Sequence, residues 1–571
     1  MLILLFYFTL RRSYRLVGPQ DLLLVAMVLM TGLAPVNGLA SAGAAEWAKL
    51  DSALRTITTE ELHSHAAALA DDTFEGRAAG SRGGRATAGY LRQRLRSAGL
   101  KPGASGKFIQ PFHGNYQNLL AVLPGADATP EEDGVWKHEM IIVGAHYDHV
   151  GYGNRQNSNG PVGYIHNGAD DNASGVATLL EVIDALTHMD YRPQRSILFA
   201  FWDGEEKGLL GSKYWITHST VPTSNISLMI NIDMVGRMRD SRLEVIGTRL
   251  AYGMRKLLSS PRLPADMWLD FTWELKDNSD HWSFLEQQIP AICLHTGLHE
   301  DYHRPSDDIE KLNVVGIQQA SRYLLARLTE IADSDQLPVY RSRGHRDSPA
   351  SQRYEQRPLN RLAPRLGISW RYVEKEKSSH CLITGVHSPS PASKAGLRSG
   401  DEIHAINGRP VSGEGLLPAI VLQAPSEVQF SLVRSARSVE SGNNFDHEND
   451  GLEQEIGGRA EKAESITVVL AGQATQLGLS WREDECEPQS VYVTRVVPYS
   501  PAARAGIQLG DRIYALNESE IMGQEDLFTQ IRGTLAEKPE TFQLTLETRG
   551  RIHQVEVNVG LPTGRVGDRS Y

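Results

Sequence analysis

Histidines and acidic residues recur in this sequence at the points where short apolar segments end. Metal binding and general acid–base chemistry both use such side chains. The residues concerned are His146, Asp148, Asp170, Asp171, Glu205, Glu206, Asp233 and His303. A single histidine or aspartate in a loop is usually solvated or caps a helix. A set that recurs beside successive apolar segments is not explained in that way.

The elements that must position these side chains follow from the apolar pattern of residues 57–331. Short β-branched segments alternate with stretches of helical spacing, which is typical of an α/β layer fold. Strands are predicted at 140–144, 196–202, 226–232, 243–246 and 291–295, and helices at 173–186 and 209–216. Ligand sites of α/β sheets form at the carboxyl ends of their strands. The candidate residues are therefore expected along one rim of the sheet.

The donor types suit a pair of divalent metal ions. Two histidines and several carboxylates without cysteine favour zinc, and cobalt or manganese less strongly. Suppose that Asp171 bridges two ions. His146 and Asp233 would then complete the ligands of one ion. Glu206 and His303 would complete the ligands of the other. Two such ions can hold one hydroxide, polarise a carbonyl and stabilise a tetrahedral oxyanion.

Five separated motifs occur in order along the chain. They are GAHYDH at 144–149, GADDNASG at 168–175, DGEEKGLLGS at 203–212, NIDM at 231–234 and DYH at 301–303. Together with EGRAAGS at 75–81, these motifs resemble the bacterial leucyl aminopeptidase and glutamate carboxypeptidase family of two-zinc metallopeptidases. The resemblance implies a mixed central sheet flanked by helices and two zinc ions per chain. It also implies hydrolysis of N-terminal peptide bonds by a metal-bound hydroxide.

The resemblance assigns roles to individual residues. The implied metal ligands are His146, Asp171, Glu206, Asp233 and His303, and the implied general base is Glu205. The bridging aspartate of the family lies four residues before the glycine of a Ser-Gly pair, here Gly175, which selects Asp171 over Asp170. Asp148 would hold the ring of His146 through its second nitrogen. Tyr302 is a candidate donor to the oxyanion, and simple packing of its ring fits the sequence equally well.

Three other functions stay open at this point. A glutaminyl cyclase of the same family resembles this ligand set but uses a single zinc ion. A carboxypeptidase needs a cationic clamp for the substrate carboxylate, for which Arg237 and Arg239 are candidates. A binding scaffold similar to the transferrin receptor would be expected to have lost ligands, whereas every ligand position is filled here.

Length and composition limit the remaining possibilities. The 571 residues exceed a single hydrophobic core, and 41% hydrophobic with 22% charged residues is typical of globular domains. A formal net charge of -11 argues against a nucleic-acid partner. Cys293, Cys381 and Cys486 lie in different candidate domains, so they are expected to be small buried hydrophobic residues and not disulfides.

The N-terminal residues have the order of a secretory signal. Arginines at 11, 12 and 15 precede an apolar run at 22–34 and small residues at 40–42. The run is shorter than the roughly 20 residues that a membrane span needs. Residues 1–44 are therefore predicted to be a signal peptide that sends the protein to the periplasm or the exterior. Membrane association would follow only if the signal were retained as an anchor.

The C-terminal part contains a duplicated unit. LGISWR at 366–371 returns as LGLSWR at 477–482, and SPASKAGLRSGDEIHAIN at 390–407 returns as SPAARAGIQLGDRIYALN at 500–517. Both copies resemble bacterial PDZ domains, which bind extended peptides or C-terminal carboxylates. The alternative is that they only pack against the catalytic unit.

The predicted domains follow from these motifs. They are a peptidase domain at 49–335, a linker at 336–362, a first PDZ-like domain at 363–474 and a second at 475–560. Residues 436–464 are acidic and glycine-rich, and are predicted to be a solvated insertion in a hairpin of the first copy.

Overall fold

The computed structural model describes residues 37–126, 128–130, 135–375, 379–434, 462–537 and 539–562. Most of the predicted signal peptide and nearly all of the predicted acidic insertion lie outside these residues. Within the described ranges, no helix has both the length and the apolar character needed to cross a bilayer.

The first unit is built around one nine-stranded sheet. Its helices are α1 (Asn37–Thr56), α2 (Thr59–Leu69), α3 (Arg82–Ser97), α4 (Gly175–His188), α5 (Leu210–Thr217), α6 (Met254–Leu258), α7 (His281–Leu285) and α8 (Val314–Ala332). Its strands are β1 (Lys101–Pro102), β2 (Ile109–Phe112), β3 (Tyr116–Leu123), β4 (Met140–His146), β5 (Ser196–Trp202), β6 (Ile226–Ile232), β7 (Arg242–Ile246), β9 (Trp268–Phe271) and β10 (Ala291–His295), while β8 (Ala251–Tyr252) lies outside that sheet.

The sheet is mixed, with strand order β1-β3-β5-β4-β6-β10-β7-β9 and β2 beside β3. Strands β5, β4, β6 and β10 run parallel, and β3 pairs with β5 in the antiparallel sense. Helices α1, α2, α3, α4 and α8 contribute to the apolar layer on one face, and α5 and α7 contribute to the layer on the other. A parallel strand buried on both faces is a continuous apolar run, which is why the sequence predicted these strands well.

The predicted elements differ from the observed ones chiefly at the rim of the sheet. Strand β4 continues beyond the predicted end at 144, so that His146 is its last residue. Helix α4 begins at Gly175 and not at 173, because residues 169–174 form an irregular turn in which Asp171 and Asn172 leave helical dihedral angles. Both differences bring candidate ligands to the carboxyl edge of the sheet.

The predicted linker is ordered. It contains β11 (Val339–Tyr340), which pairs with β8, and helix α9 (Pro349–Glu355). Ser348 caps this helix through a reciprocal capping box with Ser351, and Pro349 occupies the first turn. A short helix held by its caps has no long apolar period, so the sequence analysis did not detect it.

Two six-stranded sheets of the same topology form the C-terminal units. The first contains β12 (Ile368–Val373), β13 (His380–Val386), β14 (Glu402–Ile406), β15 (Arg409–Pro410), β16 (Glu427–Arg434) and β17 (Lys462–Val469), with helices α10 (Pro391–Lys394) and α11 (Leu416–Gln423). The second contains β18 (Leu479–Glu483), β19 (Val491–Val496), β20 (Arg512–Leu516), β21 (Ser519–Glu520), β22 (Thr541–Thr548) and β23 (Arg551–Asn558), with helices α12 (Pro501–Arg504) and α13 (Gln524–Ala536). Strands β16 and β17 pair along their whole length, which places both in the first sheet.

The second C-terminal unit packs against the first unit of the chain. Backbone hydrogen bonds join the two, from the Gly253 amide to the Cys486 carbonyl (2.8 Å) and from the Ser260 amide to the Gly550 carbonyl (2.8 Å). The buried Asp484 carboxylate lies between the guanidinium groups of Arg249 and Arg512, at 2.7 Å from each. This contact was not predicted from the sequence.

All three cysteines are free and buried, as predicted. Burial raises the pKa of Cys381 and of Cys486 to about 12. Neither thiol is therefore ionised near neutral pH, which fits a packing role.

Candidate active site

The candidate residues meet at the carboxyl edge of the central sheet. The possible ligand atoms form two groups, each within 4.8 Å: His146, Glu205 and Asp233 in one, and His149, Asp171, Glu206 and His303 in the other. All five predicted metal ligands and the predicted general base are thus present. Their positions follow from the strands, since β4 ends at His146, Glu205 and Glu206 follow β5, and Asp233 follows β6.

The carboxylate of Asp171 joins the two groups. Its Oδ1 atom lies 3.3 Å from Nε2 of His146, and its Oδ2 atom lies 3.2 Å from Nε2 of His303. On the first side, His146 Nε2 also faces Asp233 Oδ1 at 3.4 Å. On the second side, His303 Nε2 faces Glu206 Oε2 at 3.0 Å. One carboxylate therefore presents a separate oxygen to each donor group.

The separations around His146 fit zinc ligands better than hydrogen bonds. Two donors about 2.0–2.2 Å from one tetrahedral zinc ion lie roughly 3.3–3.6 Å apart. A protein N–H···O hydrogen bond is about 2.7–3.2 Å long. His146 is 3.3–3.4 Å from its two carboxylate neighbours. His303 Nε2, at 3.2 Å from Asp171 and 3.0 Å from Glu206, is within hydrogen-bond distance of both carboxylates. The spacing therefore favours zinc at His146, and the donor types fit divalent zinc on both sides of Asp171.

His149 belongs to this site but was not singled out by the sequence analysis. Its Nδ1 atom is 2.7 Å from Oε1 of Glu206 and 3.7 Å from Oδ2 of Asp171. The shorter distance is that of a hydrogen bond and is too short for two ligands of one ion. We therefore assign His149 to orienting Glu206. The motif GAHYDH contains this residue, but spacing alone does not separate it from His146.

The site concentrates negative charge that cations can balance. Burial alone would lower the pKa of His303, but hydrogen bonds with the carboxylates of Asp171 and Glu206 raise it to about 10. The pKa of His146 is also raised, because the neighbouring carboxylates, led by Glu205, outweigh its burial. Burial raises the pKa of Glu205 well above its usual range. Carboxylates that stabilise the protonated form of these imidazole rings also stabilise divalent cations bound in the same site.

Arg77 holds together the loops that carry the ligands. This residue is only 1% exposed, and its guanidinium donates to the carbonyls of Leu69 (2.8 Å), Tyr147 (2.9 Å), Asn167 (2.5 Å) and Gly168 (2.9 Å). Tyr147 follows the ligand His146, and Gly168 precedes the turn that carries Asp171. A fifth, longer hydrogen bond reaches the carbonyl of Asp171 (3.5 Å). The motif EGRAAGS contains Arg77, but its role depends on contacts up to 94 residues away.

The prediction for Asp148 needs correction. Nδ1 of His146 lies 3.1 Å from the main-chain carbonyl of Asp148 and 3.9 Å from its carboxylate. The carbonyl is therefore what holds the ring. The carboxylate accepts a hydrogen bond from the amide of Glu205 at 3.0 Å. Asp148 thus positions the loop that carries the predicted general base.

Asp170 and Asp307 fix the backbone around Asp171. Asp307 Oδ2 accepts hydrogen bonds from the amides of Asp170 (3.0 Å) and Asp171 (3.1 Å). Asp170 Oδ1 accepts from the amide of Gly236 at 2.6 Å and from the hydroxyl of Ser174 at 3.0 Å. The side chain of Asp170 is therefore engaged in holding loops, and that of Asp171 is the one directed between the two donor groups.

Tyr302 lies beside the site with its ring stacked on that of His303, at 3.9 Å between centroids. Burial and the nearby carboxylates raise its pKa far above the usual value. The hydroxyl is therefore protonated at neutral pH and available as a hydrogen-bond donor. Both roles considered from the sequence, donor and packing aromatic, are compatible with this position.

Comparison with known proteins agrees with this site. A peptidase family M28 model matches residues 118–328, and PDZ-domain models match residues 360–429 and 456–559. Leucine aminopeptidase 1 of Arthroderma otae is 28% identical over 198 residues, which are 33% of this chain and 48% of that protein. Aminopeptidase YwaD of Bacillus subtilis is 27% identical over 212 residues, which are 35% of this chain and 43% of that protein. The chain thus spans about half the length of the curated relatives it matches.

Two solved structures are also similar. The LapA aminopeptidase of Legionella pneumophila gives a TM-score of 0.41 at 20% identity and covers 50% of this chain and 75% of its own. BSAP, a zinc aminopeptidase from Bacillus subtilis, gives a TM-score of 0.38 at 16% identity and covers 49% of this chain and 96% of its own.

The site and the family match at residues 118–328 indicate a domain of the zinc metallopeptidase class. More particularly, the chain contains a peptidase family M28 domain with a mixed α/β sheet, followed by two PDZ domains.

Proposed function

We propose that this protein is a two-zinc aminopeptidase that hydrolyses the N-terminal peptide bond of peptides. The proposal rests on the position of the Asp171 carboxylate, which directs one oxygen at His146 and the other at His303. A bridging carboxylate of this kind serves two ions held by separate donor groups. His146 and Asp233 would hold one ion, and Glu206 and His303 the other.

Bound zinc would supply a Lewis acid and an activated water. Glu205 lies within 4.8 Å of the ligand atoms of His146 and Asp233, where it would take a proton from the attacking water and return it to the leaving amine. Tyr302 would donate a hydrogen bond to the developing oxyanion.

Carboxypeptidase activity is disfavoured by the state of its two candidate arginines. Arg237 already pairs with Asp301 at 2.9 Å and with Asp307 at 3.4 Å. Arg239 donates to the carbonyl of Leu298 at 2.8 Å. Arg237 would have to give up these ion pairs to clamp a substrate carboxylate, and Arg239 would have to share its guanidinium with the Leu298 carbonyl.

Two measurements on the zinc-loaded protein test the proposal. One compares its turnover of three kinds of peptide, and the other determines its zinc content. Free-amine peptides should be cleaved, N-blocked peptides should not, and N-terminal glutaminyl peptides should be hydrolysed without cyclising. The content should be about two ions at this centre, as two-metal hydrolases require. Cyclisation by a protein with one ion there would establish the glutaminyl cyclase alternative instead.

We also propose that the protein is exported and that its PDZ domains bind peptide segments. Export is supported by the basic, apolar and small-residue order of residues 1–44. Its test is fractionation of producing cells, with N-terminal sequencing of the exported chain. Peptide binding is supported by a groove of about 530 Å³ beside β12 and α11 of the first PDZ domain, which residues 495–499 of the second PDZ domain also line.

A further inference from the structure

Three metal-binding side chains lie together on the first PDZ domain, far along the chain from the peptidase site. Strands β13 and β14 pair in antiparallel register, with Cys381 opposite Ile403 and Leu382 opposite Glu402. His380 therefore lies opposite His404, and Glu402 is two residues before His404 on the same strand. Because side chains alternate between the faces of a sheet, all three share one face.

The distances within this cluster are those of zinc ligands and not of hydrogen bonds. Oε2 of Glu402 is 3.5 Å from Nε2 of His380 and 3.4 Å from Nε2 of His404. Hydrogen bonds to a carboxylate are about 2.7–2.9 Å long, whereas two ligands of one tetrahedral zinc ion lie roughly 3.3–3.6 Å apart. The two imidazole rings are stacked with 5.1 Å between centroids. One candidate ligand atom from each residue lies within 4.8 Å of the others.

The burial of the cluster is suited to holding an ion. The side chain of His380 is only 3% exposed, and the Glu402 carboxylate lies 3.5 Å from its Nε2 atom, which is too far for a strong hydrogen bond. A metal ion bound at Nε2 would give this buried ring a strong partner on that side. The side chains of Glu402 and His404 are each 29% exposed, so solvent and ions can reach the cluster.

The second PDZ domain provides an internal comparison. There Val491 lies opposite Ile513, as Cys381 lies opposite Ile403 in the first copy. The positions that correspond to His380, Glu402 and His404 are therefore occupied by Ser490, Arg512 and Tyr514. Arg512 uses this face to pair with Asp484 at the contact with the peptidase domain. The PDZ fold itself consequently does not require metal-binding residues at these positions.

We propose that His380, Glu402 and His404 form a third zinc site, on the first PDZ domain and separate from the peptidase centre. Two imidazoles and one carboxylate are a donor set that zinc prefers, and they leave a fourth position for water or an incoming ligand. The ion joins the first residue of β13 to β14. This site does not depend on the proposed peptidase activity.

The test is a count of zinc in the full-length protein. Protein stripped by a chelator is reloaded with Zn²⁺, desalted and analysed for zinc per chain. The double variant His380→Ala/His404→Ala should hold one ion fewer than the wild type, while its turnover of a short free-amine peptide stays within about twofold. The test compares the zinc counts of the wild type and the double variant. An expected difference of one ion does not depend on how many ions the peptidase centre binds. Glu402→Gln, at a more exposed position, provides a second variant that should retain the ion less well and fold normally.

His387→Ala is the matched control, since His387 is an exposed histidine of the same domain and its side chain hydrogen-bonds to the Ser369 hydroxyl. It should keep the full count. Asp171→Asn should lose zinc and turnover at the peptidase centre and still keep the ion of the PDZ domain. Equal counts in the wild type and the double variant would overturn the proposal. So would loss of turnover together with the ion in a folded double variant, because that ion would then belong to the peptidase centre.

Discussion

The distance from a histidine nitrogen to the nearest carboxylate oxygen distinguishes a candidate metal ligand from a residue that orients a ligand. His149 is 2.7 Å from Glu206, which is a hydrogen bond, whereas His146 is 3.3 Å from Asp171, which fits two ligands of one ion. Residue type alone makes His149 as good a ligand as His146. The family motif selects His146 as the ligand, and these two distances favour the same assignment. They also assign the carbonyl of Asp148, and not its carboxylate, to the ring of His146.

Glu205 is the proposed general base, and its replacement gives the first prediction. Glu205→Gln keeps the size of the side chain and its hydrogen-bonding oxygen, but it cannot accept the proton of the attacking water. Losing a general base typically removes a factor of about 10²–10⁴. Turnover of a free-amine peptide should fall by that factor while the zinc content stays at the wild-type value. Near-normal turnover in a folded, zinc-loaded variant would remove Glu205 from this role.

Arg77 gives a second prediction at this scale. Arg77→Met removes the five hydrogen bonds that a buried cation donates and leaves the carbonyl acceptors without this donor. A hydrogen bond to a charged group contributes about 1.5–3 kcal/mol, and some of the loss is recovered by relaxation. We expect unfolding to become easier by about 3–5 kcal/mol and zinc retention to weaken, because the loops before His149 and Asp171 lose their common anchor. Denaturant unfolding and zinc analysis measure the two effects.

Arg82→Met is the matched control for this prediction. Arg82 pairs with Glu75 at 2.7 Å, but its side chain is 71% exposed, and such surface pairs contribute about 0–1 kcal/mol. A variant of Arg77 as stable as the Arg82 variant would contradict the anchoring role.

At the scale of elements, the contact between the peptidase domain and the second PDZ domain depends on buried charge. Asp484 lies between Arg249 and Arg512, and Arg255 pairs with Glu547 at 2.7 Å. Burial alone would raise the pKa of Asp484, but the two guanidinium groups outweigh it and hold the pKa well below the usual range. The short loop before β8 and helix α6 therefore serve as the docking surface for this PDZ domain.

Removing Asp484 should weaken that docking. Asp484→Ala leaves two buried guanidinium groups without their shared carboxylate, which typically costs about 3–5 kcal/mol. We expect faster hydrogen exchange in β8 and in helix α6, together with a lower unfolding temperature. The neighbouring substitution Glu485→Ala is the control, because Glu485 pairs with Arg343 at the surface, where both side chains are more than half exposed. Equal effects of the two substitutions would rule out a dominant role for the buried charge.

The same contact predicts a dependence on pH through Glu487. This residue is 3% exposed and accepts hydrogen bonds from the amides of Arg255 and Lys256. Burial raises its pKa from 4.5 to about 7. Between these two values the folded state binds more protons than the unfolded state, so this group favours folding at low pH. That contribution is lost as the pH rises through 7.

Glu487→Gln should remove this dependence. A shift from 4.5 to about 7 corresponds to about 3 kcal/mol. The difference in unfolding free energy between variant and wild type should therefore move by about that amount, in favour of the variant, between pH 4.5 and pH 7.5. Denaturant unfolding across this range measures it. Glu485→Gln is the control and should show no such change, because exposed Glu485 has a lowered pKa and is ionised throughout most of the range. A constant difference would show that Glu487 does not titrate as inferred.

At the scale of the whole molecule, the sequence predicted the parts better than their assembly. Strands β5, β6 and β10 coincide with the predicted ranges, because buried parallel strands are continuous apolar runs bounded by polar residues. The duplication was visible as a repeated phrase. The contact between Arg249 and Asp484 was not, because the two residues are 235 positions apart and each alone resembles an ordinary surface charge. Helix α9 was missed for a related reason, since its caps are local and its apolar content is low.

The assembly changes how recruitment by the PDZ domains has to be tested. Truncation after residue 335 would leave Arg249 and Arg255 without Asp484 and Glu547, so loss of activity could reflect instability alone. A point substitution in the groove of the first PDZ domain avoids this problem. Leu366, Gly367 and Ile368 line one side of that groove, and Leu417, Pro418 and Leu422 line the other. Leu422 is only partly buried, so it can be changed without disrupting the core.

Leu422→Glu should lower recruitment without affecting catalysis. A carboxylate in the groove repels the C-terminal carboxylate of a bound peptide and adds a desolvation cost to its apolar side chains. If this groove captures long substrates, kcat/KM for an unfolded protein substrate should fall about 3–10-fold. Turnover of a dipeptide that cannot span from the groove to the zinc centre should stay unchanged. Leu422→Met is the control and should behave as the wild type on both substrates. A Leu422→Glu protein that processes the two substrates as the wild type does would leave the PDZ domains with a packing role only.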